Sequence, residues 1–196
     1  MNKTKENILD VAERLFAGNG FSGTSIRAIV DEANVNIAAI NYHFKTKEGL
    51  FVAVITRRFS EIESQRFSLL NQHLADNDNE PSLEGVIRAF LEPLKTAFKT
   101  NNLVPMMLIR VFCESDELKE IIKPVFAETR SRFFSTLKHV YPDMSDTEVQ
   151  WRFQFMVSAM VGMIIFSKDM LANNEELNEN MMIEKLISQT IAGIQK

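Results

Sequence analysis

An all-α fold is what this 196-residue chain predicts, and three observations predict it. Apolar residues recur at helical spacing through most of the chain. Seven Gly and five Pro are few turn formers for an all-β fold. No stretch alternates convincingly as a strand, and there is no internal repeat. With 45% hydrophobic and 24% charged residues the composition is that of an ordinary globular chain, long enough to bury a sizeable core. It excludes collagen-like, low-complexity and wholly disordered classes.

The first helix is expected over 5–17, where Ile8, Ala12, Leu15 and Phe16 share a face and Gly18 and Gly20 end the run. Thr24 is expected to cap a short second helix, 25–33, striped by Ile26, Ile29, Val30 and Ala33. Asn34 tolerates the left-handed conformation and can stop that helix, and Asn36 can cap a third over 37–44. Two short helices about three residues apart, with Val35 in the turn, match a helix-turn-helix. Thr46 caps a long fourth helix, 47–74. The polar stretch 75–82 is the clearest loop and ends in a cap at Ser82. Further helices are expected at 83–99 (kinked by Pro93), 103–114, 117–140, 146–170 and 179–195. Ser145 and Glu148 form a capping box at the start of the longest of these.

Several function classes find no support. There is no glycine-rich phosphate loop, nucleophile elbow or paired metal motif, and His43, His73 and His139 are isolated. No enzyme activity, cofactor or metal is therefore expected. The single cysteine, Cys113, cannot form an internal disulfide and lies among acids that oppose a reactive thiolate. The longest nearly apolar run, 153–166, is short of the ~18 residues needed to cross a bilayer. Glu6, Asp10 and Glu13 interrupt the N-terminus as no signal peptide does, so a cytoplasmic protein with no membrane partner is expected. Residues 1–58 carry a net charge of +2 and residues 59–196 carry −6, which permits a polyanion partner for the N-terminal quarter only.

The linked pattern Leu15-Phe16, Gly20-Phe21, 24–29 (TSIRAI), 35–44 (VNIAAINYHF) and Lys47-Glu48-Gly49-Leu50 resembles the DNA-binding domain of the TetR family of bacterial regulators. Asn34 and Asn36 stand where that family usually has Gly and often has Ser, and both can do the same backbone job. In a helix-turn-helix the second helix enters the major groove with its N-terminal residues on base edges. Here those residues are Asn36, Ile37 and Ala38, with Asn41 and Tyr42 one turn on. Asn can read adenine, and small apolar groups can touch a thymine methyl. Thr24, Ser25, Tyr42 and Lys47 suit phosphate oxygens, and the resemblance implies that role for Tyr42 and Lys47. Arg27 either binds phosphate or is a solvated charge; His43 either contacts DNA or packs the domain; Phe44 packs.

The resemblance implies three regions: a DNA-binding domain at 1–46, a connecting helix at 47–74, and a ligand-binding and dimerisation domain at 75–196. Apart from Met1, all nine methionines lie between 106 and 182, and phenylalanines are plentiful there. Both can fill a core or line an adaptable apolar cavity. The expected pocket is Phe67, Phe98, Met107, Arg110, Phe133, Arg152 and Met156. Arg110 and Arg152 could hold a ligand carboxylate, but ion pairs with Glu114 and Glu148, one turn away, are favoured. Residues 149–156 with 110–112 look like a TetR subgroup that includes fatty-acid-responsive repressors, which implies a fatty acid or acyl thioester as effector. The helix at 146–170 is apolar on nearly every side from Phe155 to Phe166 and must be buried on two faces. The expected homodimer interface is Ala159, Gly162, Met163, Phe166, Leu186, Ile187, Ile191 and Ile194, with an intramolecular bundle as the alternative. The whole then reads as a ligand-responsive transcriptional regulator on a palindromic double-stranded DNA operator. Repression is the family default; effector, operator sequence and target genes are not legible.

Overall fold

The computed structural model describes residues 3–100, 116–173 and 177–195, with side chains at 97–100 and 168–170 excepted. Among these residues every regular element is helical. The helices are α1 (Lys3–Asn19), α2 (Ile26–Ala33), α3 (Ile37–His43), α4 (Lys47–Asp76), α5 (Leu83–Leu91), α6 (Pro93–Thr100), α7 (Asp116–Ile122), α8 (Ala127–Val140), α9 (Asp146–Ala172) and α10 (Glu179–Ile194). The chain forms two compact units, dividing within α4 after Ser60; residues 116–125 group with the first. The expected helix at 103–114, with Cys113, lies outside the described residues.

Local chemistry accounts for most boundaries. Gly20, at φ 76°, ends α1. Asn34 takes the left-handed conformation (φ 52°, ψ 51°) at the end of α2, and Asn36 Oδ1 accepts from Ala38 N–H at 2.8 Å to start α3. Thr46, Ser82 and Ser145 cap α4, α5 and α9 through the N–H groups of Gly49, Gly85 and Glu148. Three expectations change. Ser25, not Thr24, caps α2, accepting from Ala28 N–H at 3.1 Å. The expected helix at 83–99 breaks at Glu92 into α5 and α6 rather than merely kinking at Pro93. The expected helix at 117–140 is interrupted by a 3₁₀ turn, Lys123–Phe126, because Pro124 has no N–H to donate and disfavours helix at Lys123.

In the first unit, Ile8, Ala12, Phe16, Ile29, Ile40, Leu50, Phe51 and Val54 are buried. The rings of Phe16, Phe21 and Phe51 pack together, with Phe51 5.0 and 5.1 Å from the other two. A charged seam fixes α1 on the start of α4. Arg57 bonds Asp10 and Glu13 at 2.8 Å and Glu6 at 3.3 Å, while Arg58 also pairs with Glu13. In the second unit, α5, α6, α8, α9 and α10 pack with the later half of α4 around Ile87, Phe90, Leu91, Phe133, Met156, Met160 and Ile183. Phe90 takes the edges of Phe133 and Phe153 at 5.1 and 5.8 Å.

One stretch of α9, Asp146–Ser167, is long and apolar enough to cross a membrane by length and composition, which counting the 153–166 run alone does not reveal. It carries Asp146, Glu148 and Arg152, and Val149, Phe153, Met156, Met160 and Ile164 are buried in the second unit. Its apolarity is that of a core helix with a second apolar face.

Candidate nucleic-acid interface

The helix-turn-helix is α2, the turn 34–36 and α3. Of α3's residues only Ile40 is fully buried; it anchors the helix and leaves the opposite face open. On that face Ile37 is 52% exposed, Tyr42 is 75% exposed, and Ala38 and Asn41 are exposed beside them. Ile37 and Tyr42 are the large exposed hydrophobics of this seven-residue helix. Asn36 is exposed too, but its side-chain oxygen is occupied by the cap. His43 is half-buried, its ring 4.8 Å from Tyr42 and 5.9 Å from Phe44, and Phe44 is buried as expected.

The flanking polar residues separate into two kinds. Ser25 and Arg27 are exposed at the start of α2. Thr24 is only 2% exposed, and its hydroxyl donates to the carbonyls of Gly20 at 2.8 Å and Leu15 at 3.1 Å. It ties the end of α1 to the start of α2 and is not placed to meet a phosphate. Lys47, at the first turn of α4, holds its ammonium 4.3 Å above the Phe21 ring. Gly49 brings α4 this close to α3: a Cβ there would overlap the carbonyl oxygen of Phe44.

The positive charge of this region is more local than the count suggests. Arg14 pairs with Glu32, and Arg57 and Arg58 are held by α1 carboxylates. Arg27 and Lys45 have no ion-pair partner among the described residues. Lys45 was not singled out by its sequence; it stands exposed at φ 69° between α3 and α4, three residues after Tyr42 and two before Lys47.

The expected pocket and interface residues distribute differently from the sequence reading. The Phe98 side chain, Met107 and Arg110 lie outside the described residues. Phe133 and Met156 are fully buried, and Phe67 is half-buried beneath the Arg132 guanidinium at 4.5 Å. Arg152 pairs with Glu148 at 3.3 Å, the ion pair the sequence favours, and lies 5.3 Å from the Tyr141 ring, while its Nε is buried with no hydrogen-bond partner among the described residues. A cleft of about 260 Å³ opens elsewhere, between the end of α4 and α5, around His73, Asp76, Arg88 and Glu92. Ile187 and Ile194 are buried within their own unit. Ala159, Gly162, Met163, Leu186 and Ile191 are partly exposed, and Phe166 is 59% exposed. Trp151 and Phe155 are exposed as well. Trp151, Phe155, Ala159, Gly162 and Phe166 fall at helical spacing, so they form one outward stripe along α9. The two aromatics were within reach of the sequence: continuing the 159–166 stripe backward by turns reaches them.

The second unit also holds a buried cation that sequence reasoning missed. Arg66 is 4% exposed. Its Nε donates to the Phe90 carbonyl at 2.9 Å, its Nη1 to Glu63 at 3.0 Å, and its guanidinium lies 3.9 Å from the Phe90 ring centre. Burial pulls the guanidinium below its ordinary pKa against the pull of Glu63. Burial likewise pushes the Glu63 carboxyl up, opposed by Arg66 and reinforced by Glu128. An Arg three residues after a Glu on a long polar-looking helix gives no sequence signal of burial.

A capped helix-turn-helix with an outward apolar and amide face, joined to a second helical unit, defines a protein of the helix-turn-helix class. Comparison with known proteins names the family. Residues 8–54 match the model of bacterial regulatory proteins of the tetR family, and residues 85–193 match the tetracyclin repressor-like C-terminal domain. The chain belongs to the TetR family. The uncharacterised HTH-type transcriptional regulator YerO of Bacillus subtilis (strain 168) is 24% identical over 191 residues, covering 95% of this chain and 64% of that protein. This chain thus spans less than two thirds of the length of the first curated relatives it matches. A transcriptional regulator (TerR/AcrR family) from Aquifex aeolicus VF5 superposes with a TM-score of 0.60 at 26% identity, covering 95% and 96% of the two chains. The fatty acid degradation regulator FadR from Bacillus halodurans has a TM-score of 0.68 at 13% identity over 97% and 95%, a likeness of fold alone.

Proposed function

We propose that this TetR-family chain is a cytoplasmic, ligand-responsive repressor that binds a palindromic operator as a homodimer and is released by a small apolar effector. The observation that carries the DNA-reading part is the open face of α3, where Ile37, Ala38, Asn41 and Tyr42 are exposed on a helix held by Ile40. In this reading Asn41 and the apolar pair Ile37 and Ala38 meet base edges. Tyr42, Ser25, Arg27 and Lys47 position the backbone, joined by Lys45. Thr24 drops out of that set, Asn36 acts as a cap, and His43 supports Tyr42.

The effector reading rests on the apolar interior around Phe90, Phe133, Met156 and Met160 and on the outward stripe of α9, which a second copy would cover. The fold likeness to a fatty acid degradation regulator makes a fatty acid or acyl thioester the first effector to try. α4 runs unbroken from Lys47 to Asp76, so a ligand that prefers one setting of its later half acts on its DNA-facing start. The ligand shifts operator affinity only by its differential affinity for the two settings. Tenfold release needs about 1.4 kcal/mol. Burying roughly two more methylenes in one state supplies that.

The test is fluorescence anisotropy on the chain's upstream DNA across a salt series. Lys47→Ala should weaken binding about equally on all sequences and lower the salt slope by roughly one. Asn41→Ala should cost about 1–3 kcal/mol on operator and little on random DNA. Parent-like binding by both variants would overturn the assignment of α3 as the reading helix.

A further inference from the structure

Arg66 is under-coordinated for a buried guanidinium. A guanidinium carries five N–H donors in a planar fork. Here Nε meets the Phe90 carbonyl, Nη1 meets one oxygen of Glu63, and Nη2 meets only the thioether sulfur of Met160 at 3.4 Å. A thioether is a weak acceptor, so the Nη2 side has donor capacity that no oxygen of the described residues takes up. The Glu63 contact is single rather than forked, although the forked arrangement is the strong one. One helix away on α8, Thr129 is buried with its hydroxyl unpartnered, one turn before Phe133 on the same face. Phe133 lies 5.1 Å from Phe90, the ring that carries the guanidinium. Met160 at Nη2 and Phe153, 5.8 Å from Phe90, add apolar surface to this site.

We infer that Arg66 is the polar anchor of the effector site, and that it takes a ligand carboxylate whose apolar body lies among Phe90, Phe133 and the methionines of α9. The inference rests on the ligand-responsive reading above and names the ligand's chemical class: an apolar chain ending in a carboxylate. Met160 and its neighbours can yield, because methionine is unbranched and repacks at low cost. The charge balance then sets the pH behaviour. Glu63 faces Arg66 on its own helix and Glu128 from α8, and Glu128 is itself paired with Arg132 at 2.9 Å. A second carboxylate on Arg66 disfavours ionised Glu63, which takes a proton from solvent as the ligand anion enters. Binding is therefore accompanied by proton uptake and weakens as pH rises.

The experiment is titration calorimetry on the full chain with sodium decanoate and with 1-decanol, in two buffers of different ionisation enthalpy, alongside operator binding without ligand. The parent should bind decanoate with proton uptake. Arg66→Gln should lose about tenfold or more in decanoate affinity while binding decanol like the parent. Glu63→Gln, which removes the competing carboxylate and keeps an acceptor for Arg66, should bind decanoate at least as tightly as the parent and without proton uptake. That outcome separates an anchor from a merely structural ion pair, for which both variants would weaken both ligands. Equal decanoate affinity in parent and Arg66→Gln, a weaker Glu63→Gln, or no decanoate binding by the parent overturns the inference. Operator binding by the parent in those cases leaves the DNA-binding reading intact, whereas its failure removes that reading independently.

Discussion

Glu13 shows how much one side chain decides in this protein. It is 1% exposed, and it sits on α1 opposite Arg57 and Arg58 of α4. Burial works against the Arg57 cation, but its bonds to Glu13 and Asp10 outweigh this and lift its pKa above the ordinary value. Removing one member of a buried pair strands the other. Glu13→Gln should therefore lower stability by about 1–3 kcal/mol, below the range for fully buried pairs because both arginines keep access to water. Urea denaturation of the full chain measures it, and an unchanged midpoint means the seam contributes nothing. In sequence, Glu13 reads as one more acid on an amphipathic helix; its partners stand 44 and 45 positions away. Thr24 and Ser25 make the same point. Both are good caps by type, and which hydroxyl turns inward was settled by the carbonyls of Leu15 and Gly20.

Helix ends and helix pairings obey different rules. Ends follow local chemistry, so Asn34, Asn36, Thr46, Ser82 and Ser145 were all legible as stops or caps. Pairings follow complementarity that no short window contains. The His73 imidazole of α4 lies where Gly85 of α5 has no Cβ, and its Nε2 accepts from Ser82 N–H at 3.0 Å. Gly85→Ala should destabilise by about 1–3 kcal/mol through overpacking. The double variant with His73→Ala should recover part of that loss in a denaturation cycle, and strict additivity would show that the two do not meet. α10 is tied to α5 and α6 by Glu184, which receives bonds from Lys95 and Arg88. The Lys95 bond, then Arg88, holds the Glu184 carboxyl below its ordinary pKa despite some burial. A folded-state pKa below the unfolded one gives stability that is present above about pH 4.3 and is lost as pH falls through the depressed value. Glu184→Gln should thus be less stable than the parent near neutrality, with the gap closing in acid. The pair is exposed, so the gap should be small; a gap independent of pH would show that the carboxylate charge plays no part.

At the scale of the whole molecule the question is what covers α9. Trp151, Phe155 and Phe166 are large apolar side chains on one outward stripe, with Ala159 and Gly162 between them. In the proposed dimer this stripe meets its own copy about a two-fold axis. Phe166→Glu places two charges at that axis and should yield monomers by sedimentation, with operator affinity lost because each monomer holds only one half-site. Inserting half a helical turn at the operator centre should abolish tight binding by the parent for the same geometric reason. A Phe166→Glu protein that remains dimeric would move the interface off this face.

Local order sufficed for the all-α class, for the helix-turn-helix and for the residues that α3 turns outward, because helix period, caps and turn residues are encoded within a few positions of one another. The family resemblance lay in the same short window. Partners across the chain were decided only by tertiary structure: the commitment of Arg57 and Arg58 to α1, the burial of Arg66, and the inward turn of Ile187 and Ile194. A period of 3.6 shows that a helix has an apolar face, but α9 and α10 each have apolar residues on more than one side. Which side meets its own core depends on the helices that arrive from elsewhere in the chain.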